Sequence, residues 1–130
     1  MKKVFLGGTC NGSLWRDGVI KKLKIHYYNP CGDTWTPEMM EEELKQRKEC
    51  DFCLYVVTPK MKGFYSIAEV VDDSNKRPEK TIFCFINEDE EQTFSDVQIK
   101  SLQQVAKMVK ENGANVFKTL DEVTDFLNHQ

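Results

Sequence analysis

The segment Gly63-Phe-Tyr-Ser-Ile-Ala-Glu69 follows closely on the apolar run Cys50-Asp-Phe-Cys-Leu-Tyr-Val-Val-Thr58. That order predicts a buried strand, a loop, and then a helix carrying a carboxylate about two turns from its start. A helix N-terminus brings unsatisfied N–H groups and partial positive charge. In an open α/β sheet such termini surround the crevice where ligands bind. Tyr65, Ser66 and Glu69 are thereby placed at the rim of a crevice suited to a small polar ligand, and Glu69 is the first candidate for chemistry.

Other loops offer candidate partners. Gly7-Gly-Thr-Cys-Asn-Gly12 lacks both G-x-G-x-x-G and the P-loop ending, so it is no triphosphate signature. Its glycines would let backbone N–H groups of Gly7 and Gly8 approach a ligand, with Thr9, Asn11 and Ser13 adding hydrogen bonds; a plain flexible turn explains the run equally well. Trp15 and Arg16 open a helix, Asn29, Asp33 and Trp35 lie in the second loop, and Thr58 ends the third strand. Aromatic faces beside a few polar groups are what a nucleobase site requires. Trp35 has the least reason to be core, because its loop is crowded with Asn29, Pro30, Gly32 and Asp33. Arg16 and helix N–H groups would serve an anion such as a monophosphate.

Several residues read better as structure. Asp51 lies at the wrong end of its strand for the crevice. Asp72 and Asp73, three and four residues beyond Glu69, are expected on a solvated helix face. His26 and His129 have no partner placed for a triad. Cys50-x-x-Cys53 enters a strand rather than opening a helix, and neither a second Cys pair nor a closely spaced His pair completes a metal site, so buried thiols are expected there. The odd count of five cysteines points to reduced thiols.

The elements that must hold these residues alternate along the chain. Strands are expected at 3–6, 25–28, 52–57, 81–86 and 115–117. Helices are expected at 14–23 with Ser13 as cap, from Pro37 to about Glu49 with Thr36 as cap, to about Asn75 through Glu69, at 95–112, and from Thr119 onward. Val97, Leu102, Val105, Ala106 and Val109 form the core stripe of the fourth helix, Gly113 ends it, and acidic residues 87–92 read as a solvated loop. Alternation at this spacing predicts a single doubly wound, flavodoxin- or Rossmann-like α/β domain over residues 1–130. Its parallel five-stranded sheet has order 2-1-3-4-5 and helices on both faces. The two doubly apolar runs are the interior strands.

Composition bounds the partners. A chain of 130 residues with net charge −3 and no basic block has one ordinary core and no footprint for a nucleic-acid polymer or an anionic membrane. A start that reaches Gly7-Gly8 after three apolar residues, with no long apolar span, predicts a soluble, cytoplasmic protein. No cofactor and no metal are implied.

Val4-Phe-Leu-Gly-Gly8, Trp15-Arg16-Asp17, Tyr28-Asn-Pro30, Trp35-Thr-Pro-Glu38, the run from Cys50 to Pro59, and Tyr65-Ser-Ile-Ala-Glu69 together resemble the nucleoside 2-deoxyribosyltransferase-like family, in its small phage and bacterial branch. The resemblance implies that Glu69 attacks C1′ of a nucleoside or nucleotide, expels the base and holds the sugar as an ester that a second base or water releases. It also implies a homo-oligomer in which a neighbour's C-terminal segment completes the pocket. The chain departs from better-known transferases at Gly63, where they carry Asp or Ser, leaving Thr58, Tyr65 and Ser66 as candidates for that hydrogen bond. Alternatives on the same fold are a nucleotide-binding sensor without catalysis and a hydrolase of a different N-glycoside.

Overall fold

A computed structural model describes residues 1–10, 12–32 and 36–130. In chain order the elements are β1 (Lys3–Gly8), α1 (Trp15–Lys22), β2 (His26–Tyr28), α2 (Pro37–Glu49), β3 (Phe52–Val57) and α3 (Tyr65–Lys76). A short 3₁₀ turn, Pro78–Lys80, then precedes β4 (Thr81–Phe85), β5 (Glu88–Asp89), β6 (Gln92–Thr93), α4 (Asp96–Glu111), β7 (Asn115–Phe117) and α5 (Leu120–Asn128). The main sheet is parallel throughout, in the order β2-β1-β3-β4-β7. This is the expected 2-1-3-4-5 topology; the fifth sheet strand becomes β7 only because an antiparallel hairpin, β5–β6, stands where a solvated loop was expected.

Side-chain alternation along the strands divides the core into two layers. Val4 and Leu6 of β1, Phe52, Leu54 and Val56 of β3, and Ile82 and Cys84 of β4 pack with Trp15 and Val19 of α1 and Val123 and Leu127 of α5. Phe5, Cys53, Tyr55, Val57 and Phe83 face the opposite side, against Val70 of α3 and Leu102 and Val109 of α4. Every residue of β3 is buried, as a strand covered on both faces must be. The edges are β2 and β7.

Helix ends follow local chemistry where the expected cap is present. The Thr36 hydroxyl accepts from the Met39 amide at 3.2 Å, and Ser95 and Thr119 each complete a capping box, with Gln98 and Glu122. The N-cap position of α1 falls on Leu14 rather than Ser13, but the Ser13 hydroxyl still accepts from the Trp15 amide at 3.4 Å, a long capping contact, while donating to Asp89 of the hairpin at 2.5 Å. Val97 is also corrected, being 74% exposed and outside the stripe that Leu102, Val105, Ala106 and Val109 bring to the core. Helical phase turns it outward, whereas Ile99 in the same first turn does pack against that layer.

Candidate active site

The sheet reverses direction of growth between β1 and β3, so the loops leaving their C-terminal ends splay apart and open a crevice. Two contacts hold those loops in register: the Thr9 amide donates to the Val56 carbonyl at 2.9 Å, and the Thr9 hydroxyl accepts from the Thr58 amide at 3.0 Å. Gly8 makes this approach possible. Its φ is +117°, and a Cβ there would lie 1.9 Å from the Val56 carbonyl oxygen, a position no other residue can occupy.

Between these loops lies a cleft of about 180 Å³. Gly8, Thr9 and Cys10 form one wall. Met61 and Gly63 from the β3–α3 loop, with Tyr65, Ser66 and Glu69 of α3, form the other. Glu69 is the fifth residue of α3, little more than one turn from its start rather than two, because the helix begins at Tyr65. The N-cap residue of α3, Phe64, makes no side-chain cap hydrogen bond and is exposed, and Tyr65 stands exposed at the mouth. The Glu69 side chain is only 11% exposed. That burial pushes its carboxyl up to about 7, against the opposing pull of the Arg47 guanidinium.

Beneath Glu69 lies an ionic cluster that spacing alone concealed. Asp73, expected on a solvated face, is fully buried. It accepts from the Tyr55 hydroxyl in a short hydrogen bond, from Arg47 Nη2 at 2.9 Å and from Arg77 Nη2 at 2.7 Å. Asp72 matches the solvated reading more closely, with a side chain 43% exposed that pairs with Lys76. Arg47 was not singled out by the sequence at all. It stands in the last turn of α2, where the helix dipole favours a cation, and its Nε lies 3.7 Å from Glu69 Oε2.

Other expected site residues are placed elsewhere. Trp15 is in the core layer formed with α1 and α5, on the other face of the sheet from Glu69, and its indole N–H donates to the Thr9 carbonyl at 2.8 Å. Arg16 is equally buried and gives its guanidinium to the carbonyls of Leu6 at 3.0 Å, Thr9 at 2.5 Å and Gly8 at 3.3 Å. Desolvation lowers its pKa to about 10. Both side chains brace the β1–α1 loop from behind and do not line the cleft. Gly7 is packed under Tyr55, Thr58 is buried with its hydroxyl accepting from the Lys60 amide, and the Asn29 carboxamide accepts from the Cys31 amide within its own loop. Gly8, Thr9, Tyr65, Ser66 and Glu69 are the expected residues that meet. Asn11, Asp33 and Trp35 lie outside the described residues.

The hairpin reaches both walls. Besides the Ser13–Asp89 contact, Glu90 forms a short ion pair with Lys60 of the β3–α3 loop. A larger cleft of about 470 Å³ farther along the same edge, between β4, β7 and α4, is lined by Ile99, Ala106, Val116 and Phe117; Lys118 is the one charged residue lining it among the described residues. Among the described residues no His, Cys, Asp and Glu cluster is arranged to hold a metal ion, and no helix is long and apolar enough to cross a membrane.

The expectation of reduced thiols is corrected at one pair. Cys10 and Cys31 form a disulfide with Cα atoms 5.9 Å apart, while Cys50, Cys53 and Cys84 are free and buried. Parallel pairing of β1 with β2 brings their exit loops side by side, an approach invisible to a separation of 21 residues. Burial pushes the Cys53 and Cys84 thiols up to about 12, leaving them unreactive. Alkylating denatured protein without reductant should modify three thiols, rising to five after reduction. Five without reductant would remove the bridge.

A family model described as nucleoside 2-deoxyribosyltransferase like matches residues 1–88, a stretch that contains β1 to β4 and the whole cleft. No curated protein matches the chain.

Proposed function

We propose, because this chain belongs to the nucleoside 2-deoxyribosyltransferase-like family, that it cleaves or exchanges the N-glycosidic bond of a deoxynucleoside or its monophosphate with Glu69 as nucleophile. The observation that carries the reading is a nearly buried carboxylate turned into the cleft at the switch point of the sheet. One Glu69 oxygen attacks C1′ while the C1′–N bond breaks, and the base leaves with the bonding pair and takes up a proton. The sugar is held as an ester on Glu69. A second base, or water, then attacks C1′ and returns the carboxylate. The ionised form also favours the positive charge that develops on the sugar. Exposed Tyr65 at the mouth offers a face on which a base can stack.

A second reading, a nucleotide-binding module without catalysis, draws on two observations. Gly63 provides no side chain where better-known transferases have a polar one, and about 180 Å³ is small beside the roughly 300–1,000 Å³ of common ligand pockets. Incubation with single deoxynucleosides and their monophosphates, with and without a free acceptor base, separates the two. Base exchange or release of free sugar is the expected result. Tight binding with neither product would leave the module and remove the enzyme.

A further inference from the structure

Resting on the reading of Glu69 as nucleophile, we infer that Arg47 is a positioning residue, clamped from below by Asp73 and Tyr55 so that one edge of its guanidinium orients and charge-balances the Glu69 carboxylate without binding it directly. The geometry carries this. Arg47 is 5% exposed and comes from α2, whereas Glu69 and Asp73 are one turn apart on the same face of α3. Its Nη2 is spent on Asp73 Oδ1 at 2.9 Å and Asp72 Oδ2 at 3.3 Å. Its Nε donates to the Tyr55 hydroxyl at 3.1 Å and to Asp73 Oδ2 at 3.4 Å. The same Nε stands 3.7 Å from Glu69 Oε2, inside ion-pair range and beyond a hydrogen bond.

That gap has a chemical consequence. A nucleophilic oxygen held in a direct guanidinium bond gives up negative charge to that bond and attacks less readily, and one left alone in a nearly buried site stays protonated. An arginine fixed by other acceptors, close but not bonded, attracts the anion and leaves its oxygens free. Tyr55 and Asp73 supply the fixing: the Tyr55 hydroxyl donates to Asp73 while accepting from Arg47, so the three side chains lock one another. The groups facing Glu69 are then Arg47 and Glu43 from α2, Asp73 from its own helix, and Tyr55 from β3 behind Arg47. Glu43 and Asp73 oppose ionisation, and Arg47 is the cation among them that favours it.

The test reads Glu69 itself. In protein carrying ¹³C at the glutamate carboxyls, the Glu69 resonance, identified by its loss in Glu69→Gln, is followed with pH in the wild type, Arg47→Gln and Asp73→Asn. Arg47→Gln should raise the titration midpoint by at least about one unit, since the favouring cation is gone. Asp73→Asn should lower it, because Arg47 is then less neutralised and Asp73 no longer repels. In unmodified wild type the Arg47 Nε–H signal should titrate with the midpoint of the Glu69 carboxyl, and should cease to do so in Glu69→Gln, so the result does not depend on either cluster variant folding. An Arg47 Nε–H signal indifferent to Glu69 overturns the inference, as does an unmoved midpoint in folded Arg47→Gln. If coupling is seen while Glu69→Gln turns over normally, the positioning geometry stands and the nucleophile assignment falls.

Discussion

Replacing Glu69 with Gln should lower turnover by about 10³-fold or more while ligand affinity changes little. Gln preserves the shape of the side chain and part of its hydrogen bonding, but an amide is a very poor nucleophile. Mass spectrometry of wild-type protein with a slowly processed deoxynucleoside should show a sugar adduct on Glu69 that the variant lacks. Unchanged turnover would remove the nucleophile assignment. The pH profile follows from the same side chain. Attack needs the carboxylate, so kcat/KM should fall as pH drops through about 7, the value to which burial raises Glu69. Stability runs the other way. A carboxyl raised by folding contributes stability that is full below 4.5, its ordinary value, and is lost as pH rises through about 7. Activity and stability should therefore oppose each other across that interval, as expected where a nucleophile is kept partly desolvated.

Asp73→Ala should cost about 3–5 kcal/mol, a large share of the roughly 5–15 kcal/mol that holds a domain together. Asp73 is fully buried and is the common acceptor for Arg47, Arg77 and the Tyr55 hydroxyl. Its loss leaves buried donors without an acceptor, and the penalty is that of stranded charge rather than the net worth of a salt bridge. Asp72→Ala is the control. Its side chain is 43% exposed and pairs mostly at the surface, so its removal should cost no more than about 1 kcal/mol. Urea denaturation of both variants gives the comparison, and equal midpoints would show that the cluster does not hold α2 and α3 against β3.

The position of the candidate site was legible because its signals are local. The run from Phe52 to Val57 is apolar at every residue, which only a strand buried on both faces tolerates, and the helix that follows it places Glu69 at the C-terminal edge of the sheet. Trp15 and Arg16 show where local reading stops. They open a helix beside the crevice, as expected, yet helical phase turns both inward, where Trp15 joins α5 and Arg16 binds three main-chain carbonyls. An aromatic and a cation near a glycine-rich loop suggest ligand contacts from type alone. Which face of a one-turn stretch meets the sheet is a matter of degrees. Arg47 presented the converse difficulty, since in a helix with many charges nothing singles it out until α3 packs beside it.

The sequence by itself determined the order of strands and helices, the two faces of each interior strand, the caps Thr36 and Thr119, and the edge of the sheet on which Glu69 stands. Each of these depends on periodicity or on hydrogen bonds a few residues long, together with the handedness that parallel crossovers obey. Tertiary structure alone decided that Asp73 is buried, that Arg47 faces Glu69, that Cys10 meets Cys31 and that Asp89 and Glu90 reach across to Ser13 and Lys60. Those partners are separated by tens of residues. A charge or thiol has no preferred partner in sequence, and its environment exists only once packing has removed the water and brought distant segments within a few ångströms.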